Sequence, residues 1–85
     1  MTGISDTRRL RVRRVVSSNG ELRLDQGADV WQEKDGKLRA SGLWEDLLVL
    51  ANEDNEIQAA RMGVSPLEWF RMRLMRCSAV VIEVA

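Results

Sequence analysis

Residues 59–77 read AARMGVSPLEWFRMRLMRC, and this stretch decides how the second half of the chain is built. Ser65 can accept a hydrogen bond from a free backbone N–H of a following helix, and Pro66 suits the first helical position because it lacks an N–H. Glu68, three residues after Ser65, completes the capping-box pattern. Gly63 suits the left-handed residue that ends a preceding helix. The stretch therefore predicts two helices joined by a short turn, with the second helix beginning at Pro66.

The second predicted helix has two different faces when its residues are placed about 100° apart. Its apolar stripe, predicted to face the interior, consists of Leu67, Phe70, Leu74 and Cys77. Its flanks carry tryptophan and methionine among arginines, the residue types enriched in the cores of protein interfaces. We name this flank the Trp69 surface and define it as Trp69, Arg71, Met72, Arg73, Met75 and Arg76. It is the candidate partner-binding site, and the alternative is that Trp69 belongs to the core of a helix packed on two sides.

Residues 57–76 resemble the helix-turn-helix motif of DNA-binding regulators. The resemblance rests on the small residue Ala59 and on Gly63 four positions later. It also rests on the apolar Val64 and on Ser65, which opens the second helix. It implies a second helix that enters the major groove while a basic strand contacts phosphates. The implied nucleic-acid contacts are Arg9, Arg11, Arg13, Ser65, Arg71 and Arg73. Because such docking shows Leu67 and Phe70 to the DNA, whereas the helical wheel turns them inward, DNA binding is the second hypothesis.

The 85 residues predict one small domain spanning 1–85, and the total charge is balanced at zero. The charges are unevenly spread: five arginines and one aspartate in residues 1–20 give +4, and four basic and ten acidic residues in 21–60 give −6. Residues 61–85 hold four basic and two acidic residues, which gives +2. A balanced total argues against non-specific binding of nucleic acid. The basic ends are expected to pair with the acidic middle.

The first half predicts four strands, following a terminus at residues 1–7 that is expected to be frayed. Alternating apolar residues mark strands near 8–16 and 21–25 around the turn signal Ser18-Asn19-Gly20. Two further strands flank Asp35-Gly36, and a two-residue turn there places Trp31 opposite Ala40. The first half is therefore predicted to be a four-stranded antiparallel meander.

A helix is predicted to open after Ser41-Gly42, with an apolar face of Leu43, Trp44, Leu47, Leu48, Leu50 and Ala51. Continued in phase, Asp54 falls in the apolar stripe, so the helix is predicted to break within residues 52–55 and to restart near residue 55 or 56. The β-branched stretch 78–85 predicts a closing strand, with continuation of the last helix as the alternative. The predicted fold is α+β: the meander, two or three helices, and a C-terminal strand.

The side chains of enzymes and metal sites are scarce in this chain. It has no histidine and no tyrosine, and Cys77 is the only cysteine. The commonest general base and the usual zinc ligand sets are therefore missing, and the six glycines form no phosphate loop. These features predict a protein that is not an enzyme and has no cofactor and no metal. A lone thiol, no membrane-spanning stretch and no secretory segment predict a cytoplasmic protein.

The leading hypothesis is a small non-enzymatic protein–protein interaction module that binds a protein partner or itself as a homodimer. By analogy, small chains without catalytic motifs are common among phage and mobile-element products, including inhibitors of host systems and assembly factors. The alternative is a helix-turn-helix transcriptional regulator, and a third hypothesis is a purely structural homo-oligomer.

Overall fold

The computed structural model describes residues 4–16, 23–24, 28–42, 44–76 and 80–84; for residues 13–16, 23–24, 44, 46–47 and 80 it describes the backbone alone. In chain order the elements are β1 (Arg9–Val16), β2 (Arg23–Leu24), β3 (Ala28–Gln32), β4 (Leu38–Ala40), α1 (Trp44–Met62), α2 (Pro66–Arg76) and β5 (Val80–Val84). The predicted α+β class is confirmed, with an antiparallel sheet, two helices and the C-terminal strand.

Strand β1 lies at the centre of the sheet. It pairs antiparallel with β3 along one edge, where Arg9 lies opposite Trp31, and with β5 along the other, where Arg9 lies opposite Val84. The short β2 pairs with the far end of β1, with Val15 opposite Leu24. Strands β2 and β3 therefore follow one another along the same edge of β1. The register with β5 shifts between Val12 and Arg14, which marks an irregularity such as a β-bulge in this pair of strands.

The β3–β4 hairpin has a three-residue turn, so the predicted pairing of Trp31 with Ala40 is wrong by one residue. The Glu33 N–H donates to the Lys37 carbonyl at 2.9 Å, and the Gly36 N–H donates to the Glu33 carbonyl at 3.0 Å. Gly36 has a φ of 90°, the left-handed residue that such a turn requires.

The shifted register decides which side chains face the helices. It pairs Val30 with Ala40, and both are buried. Trp31 instead lies on the other face of the sheet, half-buried, with the Arg9 guanidinium 4.6 Å from its ring centroid. The one-residue change of register thus places Trp31 opposite Arg39 instead of Ala40.

The core forms between the helices and one face of the sheet. Strand residues alternate, so Leu10 and Val12 point inward while Arg9 and Arg11 point outward. Phe70 and Val81 pack against the cluster at its border. The buried cluster consists of Leu10, Val12, Ala28, Val30, Leu38, Ala40, Leu48, Leu67 and Leu74.

Helix α1 is continuous, so the predicted break in residues 52–55 is wrong. Its buried face runs through Leu48, Asn52, Asn55 and Ala59, and Asp54 lies exposed outside it. Asn52 is accommodated because its Oδ1 accepts the Leu38 N–H at 2.8 Å and its Nδ2 donates to the Leu38 carbonyl at 3.1 Å. Satisfied in this way, a buried polar side chain does not interrupt the helix. The predicted apolar face is also wrong at Leu50, which is 86% exposed.

Helix α1 supplies hydrogen bonds to the outer edge of β4. Besides the two bonds from Asn52, the Glu45 carboxylate accepts the Ala40 N–H at 2.7 Å and also binds Arg39. The bond from the Ala40 N–H lowers the pKa of Glu45. An edge strand with free backbone groups invites pairing with another chain, and here helix side chains occupy those groups.

The junction of the two helices matches the sequence prediction. Gly63 has a φ of 70°, and the Val64 N–H donates to the Ala59 carbonyl at 3.1 Å, as in a Schellman motif. The Ser65 Oγ accepts the Glu68 N–H at 3.0 Å, which confirms Ser65 as the N-cap.

The segment before β1 makes specific contacts, although residues 1–7 were expected to be frayed. Asp6 Oδ2 accepts hydrogen bonds from Ser65 Oγ at 2.6 Å and from Arg8 Nη2 at 2.8 Å. The Gln32 amide donates to the Ile4 carbonyl at 2.8 Å, and its oxygen accepts the Leu67 N–H at 3.1 Å. These bonds attach residues 4–8 to the start of α2.

Acid should weaken this attachment through Asp6. Burial raises the pKa of the Asp6 carboxyl, but hydrogen bonds from Arg8 and Ser65 outweigh that effect and lower the pKa to about 2. A lowered carboxyl pKa stabilises the fold at pH above its ordinary value of 3.8, and that stability is lost as the pH falls toward 2. We expect Asp6→Asn to lower the free energy of unfolding by about 2 kcal/mol at neutral pH and by much less near pH 2. Urea unfolding across this range, with the exposed Asp54→Asn as control, measures the difference. An Asp6→Asn deficit that is constant with pH would contradict the assignment.

Candidate partner-binding surface

Helix α2 turns its predicted apolar stripe toward the sheet. Leu67 is fully buried, Leu74 is nearly so, and Phe70 packs against the core cluster. Cys77, the fourth member of the predicted stripe, lies outside the described residues. The inward orientation of the helix is therefore confirmed over its first nine residues.

The opposite side of α2 carries the Trp69 surface. Met75 is 54% exposed, and Arg73 and Arg76 are exposed on either side of it in sequence. The remaining three members, Trp69, Arg71 and Met72, are half-buried. The structure thus brings all six predicted residues onto one helix, with an exposed Met–Arg part and a half-buried part that contains the tryptophan.

A hydrogen bond joins the Trp69 surface to α1. Arg73 Nη1 donates to Asn55 Oδ1 at 3.2 Å, which fixes one exposed arginine against a fully buried asparagine. Among the described atoms, Trp69 Nε1 and Asn55 Nδ2 are buried without a hydrogen-bond partner. Buried donors without partners are costly, so these two N–H groups lower the stability of the fold.

The arginines of the Trp69 surface differ in how far their charge is compensated. Arg71 Nη1 lies 3.2 Å from the Glu68 carboxylate, and Arg8 lies 3.5 Å from the same group. Within the described part of the chain, Arg73 and Arg76 form no ion pair with a carboxylate. The uncompensated positive charge therefore lies on Arg73 and Arg76, in the last turn of α2.

The residues implied by the helix-turn-helix resemblance lie in two separate places. Arg9 and Arg11 lie on the outer face of the sheet, where both bind Asp29, at 3.3 and 3.1 Å. The hydrogen bond from Arg11 lowers the pKa of Asp29. Ser65 is buried, with its hydroxyl bound to Asp6 and Glu68, and the side chain of Arg13 is not described. The structure does not bring the sheet arginines together with Arg71 and Arg73 of α2.

Sequence reasoning missed two features of α1. One is an open groove of about 470 Å³ beside β4, lined by Lys37, Arg39, Glu45, Val49, Asn52, Glu53 and Glu56. The other is an exposed apolar face, which was missed because Leu50 had been assigned to the interior. A helical wheel whose buried side is centred on Leu48 and Ala59, instead of on all the leucines, places Leu50 on the exposed side of the helix.

Over the ranges that the structure describes, His, Cys, Asp and Glu side chains form no group of three suited to a metal ion. No helix in the same ranges is long and apolar enough to cross a bilayer. No protein-family model, curated protein or solved structure matches this chain.

Proposed function

We propose that this chain is a non-enzymatic protein–protein interaction module whose partner docks on the Trp69 surface. The observation that carries the proposal is the exposure of Met75, Arg73 and Arg76 on parts of α2 that face away from the buried Leu67 and Leu74. Methionine and arginine together are characteristic of interface cores, whereas an exposed helix face without a partner is usually richer in lysine and glutamate.

The chemistry of the surface indicates what its partner should offer. Trp69 and Met72 are half-buried, and a partner that covers the rest of each side chain gains contact area at a small cost in side-chain entropy. The positive charge of Arg73 and Arg76 favours a partner with an acidic rim around an apolar pocket.

The proposal also includes a cellular compartment for the protein and a role without catalysis. A single cysteine suits a reducing compartment, and we place the protein in the cytoplasm. Without histidine it has no general base of the commonest kind, which is why the role proposed is binding and not catalysis. An inhibitor or assembly factor of a phage or mobile element is the role that fits this combination by analogy.

The test is affinity capture from an extract of the native cell or host with three baits. They are the wild-type chain, the double variant Met75→Glu/Arg76→Glu, and the control Lys34→Glu, a charge reversal at an exposed residue of the β3–β4 turn. We expect a protein that survives nuclease treatment to bind wild type and control and to fall by at least about tenfold with the double variant. Circular dichroism checks that the baits are folded. A partner that binds all three baits equally would refute the Trp69 surface.

DNA binding is the second candidate. It is supported by the Gly63 turn and the Ser65 cap, which form the local geometry expected between two helices of such a motif, and by the exposed Arg73. It is weakened by the burial of Leu67, which the motif would show to the bases. A salt titration of duplex binding separates the two candidates: affinity that falls steeply with salt and disappears in Arg71→Glu/Arg73→Glu would favour DNA.

A further inference from the structure

Helix α1 exposes an apolar face that no described part of the chain covers. Leu50 is 86% exposed, Val49 64% and Ile57 46%. Leu50 and Ile57 are seven residues apart, so they lie on the same side of the helix about two turns from each other. Leu50 and Ile57 therefore form an exposed apolar side of α1, and Val49, at its border, lines the groove beside β4.

The exposed charges within this face are acidic, and Arg61, one turn after Ile57, is the basic residue at its end. Glu53 and Asp54 lie between Leu50 and Ile57 in sequence, and both are exposed. Within the described residues neither carboxylate forms an ion pair with an arginine or lysine. A partner that covers the apolar side chains must therefore bring positive charge to the same place.

The chain itself carries a helix of that chemistry. Helix α2 exposes Met75 with Arg73 and Arg76, whose charges have no carboxylate partner among the described side chains. We infer that the acidic apolar face of α1 (Val49, Leu50, Glu53, Asp54 and Ile57) docks α2 of a second copy of this chain. This inference rests on the proposed function, because it uses part of the Trp69 surface and names the partner as another copy.

Charge decides between the possible pairings of helices. Pairing α1 with α1 brings two acidic faces together, and pairing α2 with α2 brings two basic faces together. Only α1 against α2 opposes unlike charges. A two-fold axis repeats that contact, because α1 of each copy then meets α2 of the other, and this closed arrangement is the commonest among homo-oligomers.

The experiment uses charge reversal in both helices and measures mass by sedimentation equilibrium from micromolar to millimolar chain. The first variant is Glu53→Lys/Asp54→Lys, the second is Arg73→Glu/Arg76→Glu, and Lys34→Glu is the control. We expect wild type and control to dimerise and each variant to dimerise at least about tenfold more weakly, since both contacts become repulsive. An equimolar mixture of the two variants should dimerise as wild type does, because unlike charges then face each other at both contacts.

The remaining outcomes are distinguishable. A wild-type chain that stays monomeric throughout overturns the inference, while the capture experiment still decides the Trp69 surface separately. Dimers that resist both reversals place the interface elsewhere and overturn it as well. Dimers that respond to the α2 reversal alone overturn the role of α1 but support the Trp69 surface.

A second variant of each helix guards against loss of folding. Arg73 contacts Asn55, so Arg76→Glu is the second α2 variant because it leaves that contact intact. Leu50→Ser/Ile57→Ser is the second α1 variant, since both side chains are exposed. Each is expected to weaken the dimer without unfolding the chain.

Discussion

Replacing Asn52 with leucine should lower the free energy of unfolding by about 3 kcal/mol, although leucine is nearly the same size and more apolar. The side chain of Asn52 is buried and bonds both the N–H and the carbonyl of Leu38. Leucine would leave two backbone groups of β4 buried without partners, each at a cost of about 1–3 kcal/mol. A fold of this size has a stability of only about 5–15 kcal/mol, so the loss is a large fraction of the total.

Urea unfolding followed by circular dichroism measures this effect. Arg61→Leu introduces the same side chain at an exposed position of α1 and should change the free energy of unfolding by less than about 0.5 kcal/mol. Asn52→Asp is a second probe, because it keeps the acceptor for the Leu38 N–H but sets a carboxylate against the Leu38 carbonyl. If Asn52→Leu is as stable as wild type, Asn52 does not satisfy the edge of β4.

Leu67→Ala should lower the free energy of unfolding by about 3 kcal/mol. Leu67 is fully buried at the start of α2, and a cavity left by leucine in a core costs about 2–5 kcal/mol. Met75→Ala, two turns further along the same helix, should cost less than about 0.5 kcal/mol because Met75 is mostly exposed.

The comparison of these two variants tests the orientation of α2. Thermal and urea unfolding of both, measured at the same chain concentration, give the difference directly. A large loss for Met75→Ala with a small loss for Leu67→Ala would mean that the helix is turned the other way, and the Trp69 surface would then be core.

The junction of the helices was predictable because its signals are local. Gly63 allows the left-handed backbone, and Ser65 reaches the Glu68 N–H within the same turn of helix. The orientation of α2 follows equally from its own residues, since Leu67 and Leu74 are spaced to share one face. These features need no knowledge of what the helix packs against.

The features that were missed depend on partners distant in sequence. The helix break was predicted because Asp54 fell in an apolar stripe that included Leu50, whereas both are exposed. The buried face runs instead through Asn52, whose partner Leu38 lies fourteen residues away in sequence. The hairpin register failed because Asp35-Gly36 fits a two-residue turn as well as a three-residue turn that ends in a left-handed Gly36. Likewise the pairing of β3 with β1 is decided between strands and not within either one.

The candidate site divides in the same way. The six residues proposed for the Trp69 surface were chosen from their spacing on one helix. Their division into exposed and half-buried parts depends on α1, through contacts such as the one between Arg73 and Asn55. The acidic apolar face of α1 was not found, because leucine at position 50 was taken as core when nothing in the described chain covers it.

The bonds from Asn52 and Glu45 to β4 also bear on fibre formation. A foreign strand approaching this side of the sheet meets N–H groups of Leu38 and Ala40 that are already occupied, so templated growth there requires α1 to detach first. Variants that loosen α1 should consequently begin to form amyloid-like aggregates under conditions where the sheet itself is still intact. Helix α1 thus occupies backbone groups at the β4 edge of the sheet as well as completing the core.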